Sequence, residues 1–240
     1  VMNLIDMFGA KMYDKGLTEV SIKELLQNSF DAVKTMQEVG GGKTGRIRLE
    51  VDSANRMLRI VDNGNGMSDK TLKKAFFTIA GTDKGDLPVN KRSGGYGIAK
   101  MAFLVGTDDI TVTTVKDGIE ASIFVTSDEL RASVKTKKPI RNTTLRKTSK
   151  PNGTTIEVHI PLYYTNDMGT ERGISFPNSF DSNELQTLRS PLLGDLTVSY
   201  KDLTDPDGEV RMFPVGNLMD MDKTPLLTTM RFPAWGEIDV

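Results

Sequence analysis

The longest helical pattern in the chain lies close to its amino-terminal end. Apolar residues recur there at intervals of three and four, the spacing that places them on one face of a helix. The members of this stripe are Val20, Ile22, Leu25, Leu26, Phe30, Ala32, Val33 and Met36. Three glycines at 40–42 follow it and favour a helix end. The pattern therefore predicts a helix over residues 17–39.

Alternating apolar and polar positions predict strands further along. The predicted strands span residues 47–51, 58–62, 110–115, 119–125 and 154–160. The first two are joined by Ser53-Ala54-Asn55, and the next two by a segment containing Asp117-Gly118, a dipeptide typical of tight hairpin turns. Both pairs are therefore predicted to be antiparallel hairpins.

Two more helices are predicted, over residues 68–78, where Ser68 can cap the first turn, and over residues 98–105. Between them, residues 81–97 are rich in glycine, lysine and aspartate without periodicity, which predicts a mobile loop. Together the elements predict an α+β fold. In this fold a mostly antiparallel mixed sheet is covered on one face by helices, as a two-layer sandwich.

The composition shifts after Pro161 toward asparagine, aspartate, glycine, proline and serine. A short helix at 184–189 and a hairpin formed by 196–201 and 209–214 are predicted beyond it. We expect a first domain over residues 1–165 and a small accessory extension over residues 166–240, which would begin or lead to a further domain.

Cysteine is absent from the 240 residues, and His159 is the single histidine. Disulfides and thiolate metal sites are therefore excluded, and a zinc centre or a Ser-His-Asp triad is disfavoured because His159 alternates within a predicted strand. No stretch approaches the roughly twenty apolar residues that cross a bilayer. We expect a soluble, intracellular, cytoplasmic protein with no membrane contact.

The net charge of −1 exerts no general attraction on nucleic acid, but the charge is distributed unevenly. Residues 131–150 contain no acid, and their basic residues are Arg131, Lys135, Lys137, Lys138, Arg141, Arg146, Lys147 and Lys150. We interpret this segment as a solvated face. A nucleic-acid contact is the alternative, and it is weakened because no aromatic residue is interleaved to stack bases.

The predicted first helix carries a carboxylate and an amide four positions apart, at Glu24 and Asn28, with Asp31 on the same side. A carboxylate can take a proton from an attacking water, and an amide oxygen can bind Mg²⁺. A solvated helix face is the alternative interpretation.

One glycine-containing segment follows a predicted strand, and another precedes a predicted helix. Asp62 ends a predicted strand ahead of Gly64 and Gly66, where a carboxylate can accept from an exocyclic amine, although a plain tight turn has the same sequence. Gly94-Gly95-Tyr96-Gly97 precedes the predicted helix that begins at Ile98, whose free amides favour a phosphate. Gly153-Thr154-Thr155 opens the last strand of the first domain.

In this order the four segments resemble those of the GHKL ATPase superfamily, over residues 21–161. This superfamily comprises DNA gyrase B subunits, heat-shock chaperones of the ninety-kilodalton class, histidine kinases, MutL-type mismatch-repair proteins and MORC proteins. The resemblance implies the Bergerat ATP-binding fold, with ATP and Mg²⁺ as cofactors. It implies that Glu24 activates water, that Asn28 holds Mg²⁺, that Asp62 accepts from the adenine amino group and that Thr154 supports the adenine site.

The resemblance also implies a lid that begins at 78–82 and a phosphate loop that closes it. The implied nucleotide-contacting residues are Asn28, Asp31, Asp62, Gly64, Gly66, Met67, Gly94, Gly95, Tyr96, Gly97, Ile98, Ala99, Lys100 and Thr154. Ala99 stands where gyrase and chaperone members often have glycine. No histidine phosphoacceptor segment and no downstream lysine for the γ-phosphate are recognisable.

Three functions stay open. The first is Mg²⁺-dependent ATP hydrolysis that drives a lid or dimer switch, with DNA processing as the expected process. The second is an ATP-gated binding module or chaperone with negligible hydrolysis, and the third is a protein phosphotransferase. ATP and ADP are the expected small-molecule partners, and a homodimer would form through the N-terminal region or the lid.

Overall fold

The computed structural model of the chain describes residues 17–73, 107–136, 143–165, 170–174, 176, 195–205, 210–214, 229–232 and 236–239. The helices are α1 (Leu17–Gly40), the single turn α2 (Asp69–Thr71) and α3 (Ser127–Thr136). The strands are β1 (Gly45–Asp52), β2 (Met57–Asp62), β3 (Asp109–Lys116), β4 (Ile119–Thr126), β5 (Thr143–Lys147), β6 (Gly153–His159), β7 (Tyr163–Thr165), β8 (Glu171–Gly173), β9 (Leu196–Asp202), β10 (Arg211–Pro214), β11 (Thr229–Phe232) and β12 (Gly236–Asp239).

The main sheet has eight strands in the order β10-β9-β1-β2-β6-β3-β4-β5. The pairing of β1 with β9 is parallel, and the other neighbours are antiparallel. Strands β7 with β8 and β11 with β12 form two separate ribbons. The predicted α+β class, with a mostly antiparallel mixed sheet, is confirmed.

Helix α1 packs on one face of the sheet, as the apolar stripe predicts. The core side chains of α1 are Leu25, Leu26, Phe30 and Val33, all fully buried. They meet every second residue of the central strands, such as Leu49, Ile60, Val112 and Val158. Burying each large apolar side chain contributes about 1.5–3 kcal/mol, so this layer fixes how α1 lies on the sheet.

Both predicted hairpins are present, and their strand bounds lie within two residues of the prediction. Strands β1 and β2 pair antiparallel across a turn at 53–56, and β3 pairs with β4 across Asp117-Gly118. Asp117 has φ of 50° and Gly118 has φ of 78°, the left-handed conformations that the tight hairpin turn requires.

The predicted hairpin after residue 165 is also present, as β9 and β10, and its first strand joins the main sheet beside β1. The carbonyl of Asp195 fixes this junction, because it accepts from the Gly45 amide at 2.7 Å and from Gln37 Nε2 at 3.0 Å. The division of the chain at residue 165 stays a prediction.

Two elements in and beside the basic segment, α3 and β5, were not predicted from the sequence. Helix α3 begins with a reciprocal cap, because the Thr126 amide donates to Glu129 Oε2 and the Glu129 amide donates to Thr126 Oγ1. Strand β5 lies at the sheet edge with mostly exposed side chains.

The predicted helix at 68–78 begins as expected, because the Ser68 side chain caps α2 and Leu72 is buried. Its residues from 74 onward, and the predicted helices at 98–105 and 184–189, lie outside the described residues. None of the helices within the described ranges is both long and apolar enough to cross a membrane.

Candidate functional site

The predicted polar face of α1 lies beside its buried face. Glu24, Asn28 and Asp31 are each partly exposed, whereas the adjacent Leu25 and Ser29 are buried. Because these three residues are four and seven positions apart, their side chains leave the helix on one side. Packing by the apolar stripe therefore presents a carboxylate and an amide at the border of the layer between helix and sheet.

Asp62 ends β2 with its side chain on the sheet face that α1 covers. It is only 7% exposed, and its Oδ1 accepts from the Gly64 amide at 2.9 Å. Burial raises the pKa of Asp62 to about 6 from an ordinary value of 3.8, although hydrogen bonds from the Gly64 and Thr154 backbone and from Ser29 oppose that rise. A carboxylate so placed is a costly feature for a fold to keep without a function.

Ser29 lies beside this carboxylate, one residue after Asn28. Its side chain is 2% exposed, and its Oγ has no hydrogen bond of regular geometry within the described part of the chain. Its nearness nevertheless lowers the pKa of Asp62. A buried hydroxyl without a regular partner is unusual and marks a place where a further polar group fits. Ser29 was not predicted as a site residue, although its position next to Asn28 could have indicated it.

The turn after Asp62 is pressed against the protein's own backbone at both predicted glycines. A Cβ at Gly64 would lie 2.6 Å from the Ala32 backbone of α1, and one at Gly66 would lie 1.9 Å from the Val115 carbonyl oxygen. Gly66 also has φ of 64°, which favours glycine. The Asn65 amide donates to the Ala32 carbonyl at 3.2 Å, so this turn is tied to α1. Both glycines therefore fix Asp62 against the helix.

Thr154 is the register partner of Asp62 on β6, and it is 6% exposed. Its hydroxyl lies 3.2 Å from that of Thr114 on β3, which is fully buried. Thr114 Oγ1 also accepts from the Met67 amide at 2.8 Å and donates to the Gly153 carbonyl at 3.3 Å. These hydroxyls therefore connect the turn after β2 with β6.

Thr114 was not predicted as a site residue. The sequence pattern could have indicated it, since Ile110, Val112 and Thr114 lie on one face of β3 and only Thr114 is polar. A hydroxyl at a core position requires a partner, and here the partners belong to the Asp62 site.

The remaining predicted site residues, which belong to the phosphate loop, lie outside the described residues. They are Gly94, Gly95, Tyr96, Gly97, Ile98, Ala99 and Lys100. The described part brings together Glu24, Asn28 and Asp31 on α1, and Asp62, Gly64, Gly66, Met67 and Thr154 at the adjacent end of the sheet. Chemically, this arrangement offers a buried acceptor and hydroxyls to a flat polar ring, and hard oxygens to a cation.

The mixed sheet covered by α1 is consistent with the GHKL-type ATP-binding fold. Residues 16–156 match the family described as "Histidine kinase-, DNA gyrase B-, and HSP90-like ATPase". The chain therefore belongs to this ATPase family, whose domain binds ATP, usually with Mg²⁺.

A curated relative gives the same assignment more weakly. The chain is 26% identical over 178 residues to the endoplasmin homolog of Dictyostelium discoideum. The match covers 67% of this chain and 22% of that protein, so the chain spans about a fifth of the relative's length.

Proposed function

We propose that this domain binds ATP with Mg²⁺ and hydrolyses it to ADP and phosphate. The observation that carries the proposal is the buried Asp62 carboxylate, held against the helix that presents Glu24 and Asn28. A structural role alone does not account for it, because a buried carboxylate with no cationic partner among the described residues costs stability.

The adenine ring would lie at Asp62. One carboxylate oxygen already accepts from the Gly64 amide, and the other would accept from the adenine amino group. The Ser29 hydroxyl, which has no hydrogen bond of regular geometry within the described residues, would find a partner there. Thr154 would provide a further hydroxyl at the ring edge, oriented by its contact with Thr114.

The triphosphate would extend along α1. Asn28 is suited to bind Mg²⁺, because its amide oxygen is a hard donor on a partly exposed helix face. Bound Mg²⁺ would supply charge stabilisation to the phosphates. Glu24 would take the proton from the attacking water, and Asp31 and Met67 would contact the nucleotide. The loop at 94–100 would hold the phosphates with its amides.

The proposed output of hydrolysis is a conformational switch. Closure of a lid that begins at residues 78–82, and homodimerisation through the N-terminal region or the lid, would accompany ATP binding. DNA processing is the process that we propose. An ATP-gated binding module or chaperone with negligible hydrolysis is the second candidate. A protein phosphotransferase is the third.

Phosphate release and ATP binding by the purified chain, with Mg²⁺ or with EDTA, test the proposal. We expect Glu24→Gln to keep ATP binding within about threefold and to lose at least about a hundredfold in turnover, the usual effect of removing a general base. Glu38→Gln is the matched control, because Glu38 is an exposed glutamate on the same helix.

The outcomes separate the candidates. Equal turnover of Glu24→Gln and the unaltered chain removes Glu24 from catalysis. ATP binding without turnover in the unaltered chain selects the gated binding module. Labelled phosphate that appears on a partner protein selects the phosphotransferase.

A further inference from the structure

The sheet face opposite α1 is organised in rows by the strand register. One row is ionic, and it crosses β9, β1, β2 and β6 as Lys201, Glu50, Arg59 and Glu157. Arg59 bridges Glu50 at 2.9 Å and Glu157 at 2.7 Å, and Arg48 also reaches Glu50 at 2.8 Å. The carboxylates of this row are therefore already neutralised.

The next row is made mostly of short side chains, with Arg48 as the exception. It crosses the sheet as Ser199, Arg48, Val61, Thr155, Thr113 and Ser122. Because the central Val61, Thr155 and Thr113 are small and are flanked by longer side chains, the face is indented there. The resulting groove has a volume of about 640 Å³, within the usual range for binding sites.

Basic side chains stand at both ends of this groove. Arg46 and Arg48 of β1 line one end and Lys150 lines the other. The Arg46 guanidinium has no acidic partner within the described part of the chain, and the side chains of Arg48 and Lys150 are 52% and 59% exposed. The groove is therefore open to a ligand from solvent and positive at its ends.

The acid at the Lys150 end is already compensated. Glu120 is 4% exposed, accepts from Lys150 Nζ at 2.8 Å and pairs with Arg146. The hydrogen bond from Lys150 is the largest cause that lowers the pKa of Glu120. Because the two cations Arg146 and Lys150 pair with the single carboxylate of Glu120, this end of the groove keeps a net positive charge.

The two basic ends are separated by four strand spacings, from β1 across β2, β6 and β3 to β4. At about 4.8 Å a spacing this is roughly 19 Å, the length of about six residues of extended chain. A ligand that engages both ends is therefore elongated, with negative charge at each end and hydrogen-bonding groups between them for Thr113 and Thr155.

We propose that this groove binds an extended acidic peptide segment of a partner protein. The separation of Arg46 and Lys150 allows each to bind a carboxylate at one end of such a segment. The hydroxyls of Thr113 and Thr155 can form hydrogen bonds with the peptide backbone between these ends. A nucleic-acid strand fits less well, because none of the described lining residues is aromatic and could stack a base. Val61 and Asp62 are consecutive on β2, so their side chains leave opposite faces of the sheet, although Asp62 and Thr154 also line the groove.

Fluorescein-labelled hexaglutamate, hexalysine and a twelve-residue oligothymidylate are suitable probes, titrated into the full chain at low ionic strength. We expect hexaglutamate to bind and the double variant Arg46→Glu/Lys150→Glu to weaken its binding at least about tenfold. The control Lys43→Glu/Lys147→Glu makes the same charge change at lysines outside the groove, and its affinity should stay within about twofold.

Arg46→Glu alone keeps the test valid if the double variant folds poorly, because the Arg46 guanidinium has no acidic partner among the described residues to lose. A weakening confined to the groove variants supports the proposal. Failure of hexaglutamate to bind, or equal weakening in the control, overturns it. Tighter binding of the oligothymidylate through the same two residues overturns the choice of a peptide as occupant.

Discussion

Asp62 and Thr154 are register partners on the neighbouring antiparallel strands β2 and β6, and both side chains are buried, at 7% and 6% exposure. The register places a carboxylate and a hydroxyl side by side under α1, although the two residues are far apart in sequence. Strands β2 and β6 are central in the sheet, so this pair is held by pairing on both sides. A rigid scaffold thus presents the acceptor that we assign to adenine.

The raised pKa of Asp62 predicts a specific dependence of stability on pH. Since the carboxyl titrates near pH 6 in the folded chain and near 3.8 when unfolded, the folded state holds the extra proton between these values. The free energy of unfolding therefore falls as pH rises through this window, and above pH 6 the buried charge costs up to about 3 kcal/mol.

Asp62→Asn removes that cost. We expect the variant to be more stable than the unaltered chain at pH 7.5, by up to about 3 kcal/mol, and to lose this advantage as pH approaches 4. Urea unfolding at pH 4.5 and 7.5 measures the difference. A stability difference that does not change with pH would show that the carboxylate is not buried as described.

Thr114 is expected to position the adenine site. Thr114→Val keeps the side-chain volume but leaves the Met67 amide without its acceptor and Thr154 without its hydroxyl partner, so we expect a loss of about 1–3 kcal/mol in stability. ATP affinity should fall about tenfold, and Thr114→Ser should restore it.

Thr113→Val is the matched control for this position. Thr113 precedes Thr114 on the same strand, and its hydroxyl contacts Ser122 on the opposite face at 3.0 Å. Its loss should leave ATP affinity unchanged. Equal affinities for Thr113→Val and Thr114→Val would refute the positioning role.

The glycines of the turn after Asp62 should not tolerate a methyl group. Gly66→Ala would place Cβ against the Val115 carbonyl at a positive φ, and Gly64→Ala would press on α1, so each should cost at least about 2 kcal/mol and weaken ATP binding. Gly173→Ala is the control, because nothing lies within 4 Å of its added Cβ. Thermal unfolding with and without ATP compares the three variants, and a neutral Gly66→Ala would contradict the described contact.

Much of the fold follows from local sequence pattern. The stripe of α1 and the alternation in β1 to β4 and β6 predict those elements because each buries one face against the same core. Helix α3 was missed although Thr126 and Glu129 form a recognisable capping box. The parallel pairing of β9 with β1 depends on a contact between distant residues, which no local pattern encodes.

The candidate site likewise contains residues that the local sequence predicts and residues that it does not. Glu24, Asn28 and Asp62 were predicted as site residues because their types and spacing match a known order of motifs. Ser29 and Thr114 were not, because their roles arise from where α1 and β3 pack relative to Asp62. The role of the loop at 94–100 stays a prediction.

Calorimetric titration of ATP with Mg²⁺ into the chain and into Asp62→Asn at pH 7.5 tests most directly whether Asp62 binds the nucleotide. We expect one site per chain in the unaltered protein and an affinity at least about tenfold lower in the variant, which remains folded. Equal ATP affinity in both proteins, or no ATP binding by the folded unaltered chain, would contradict it.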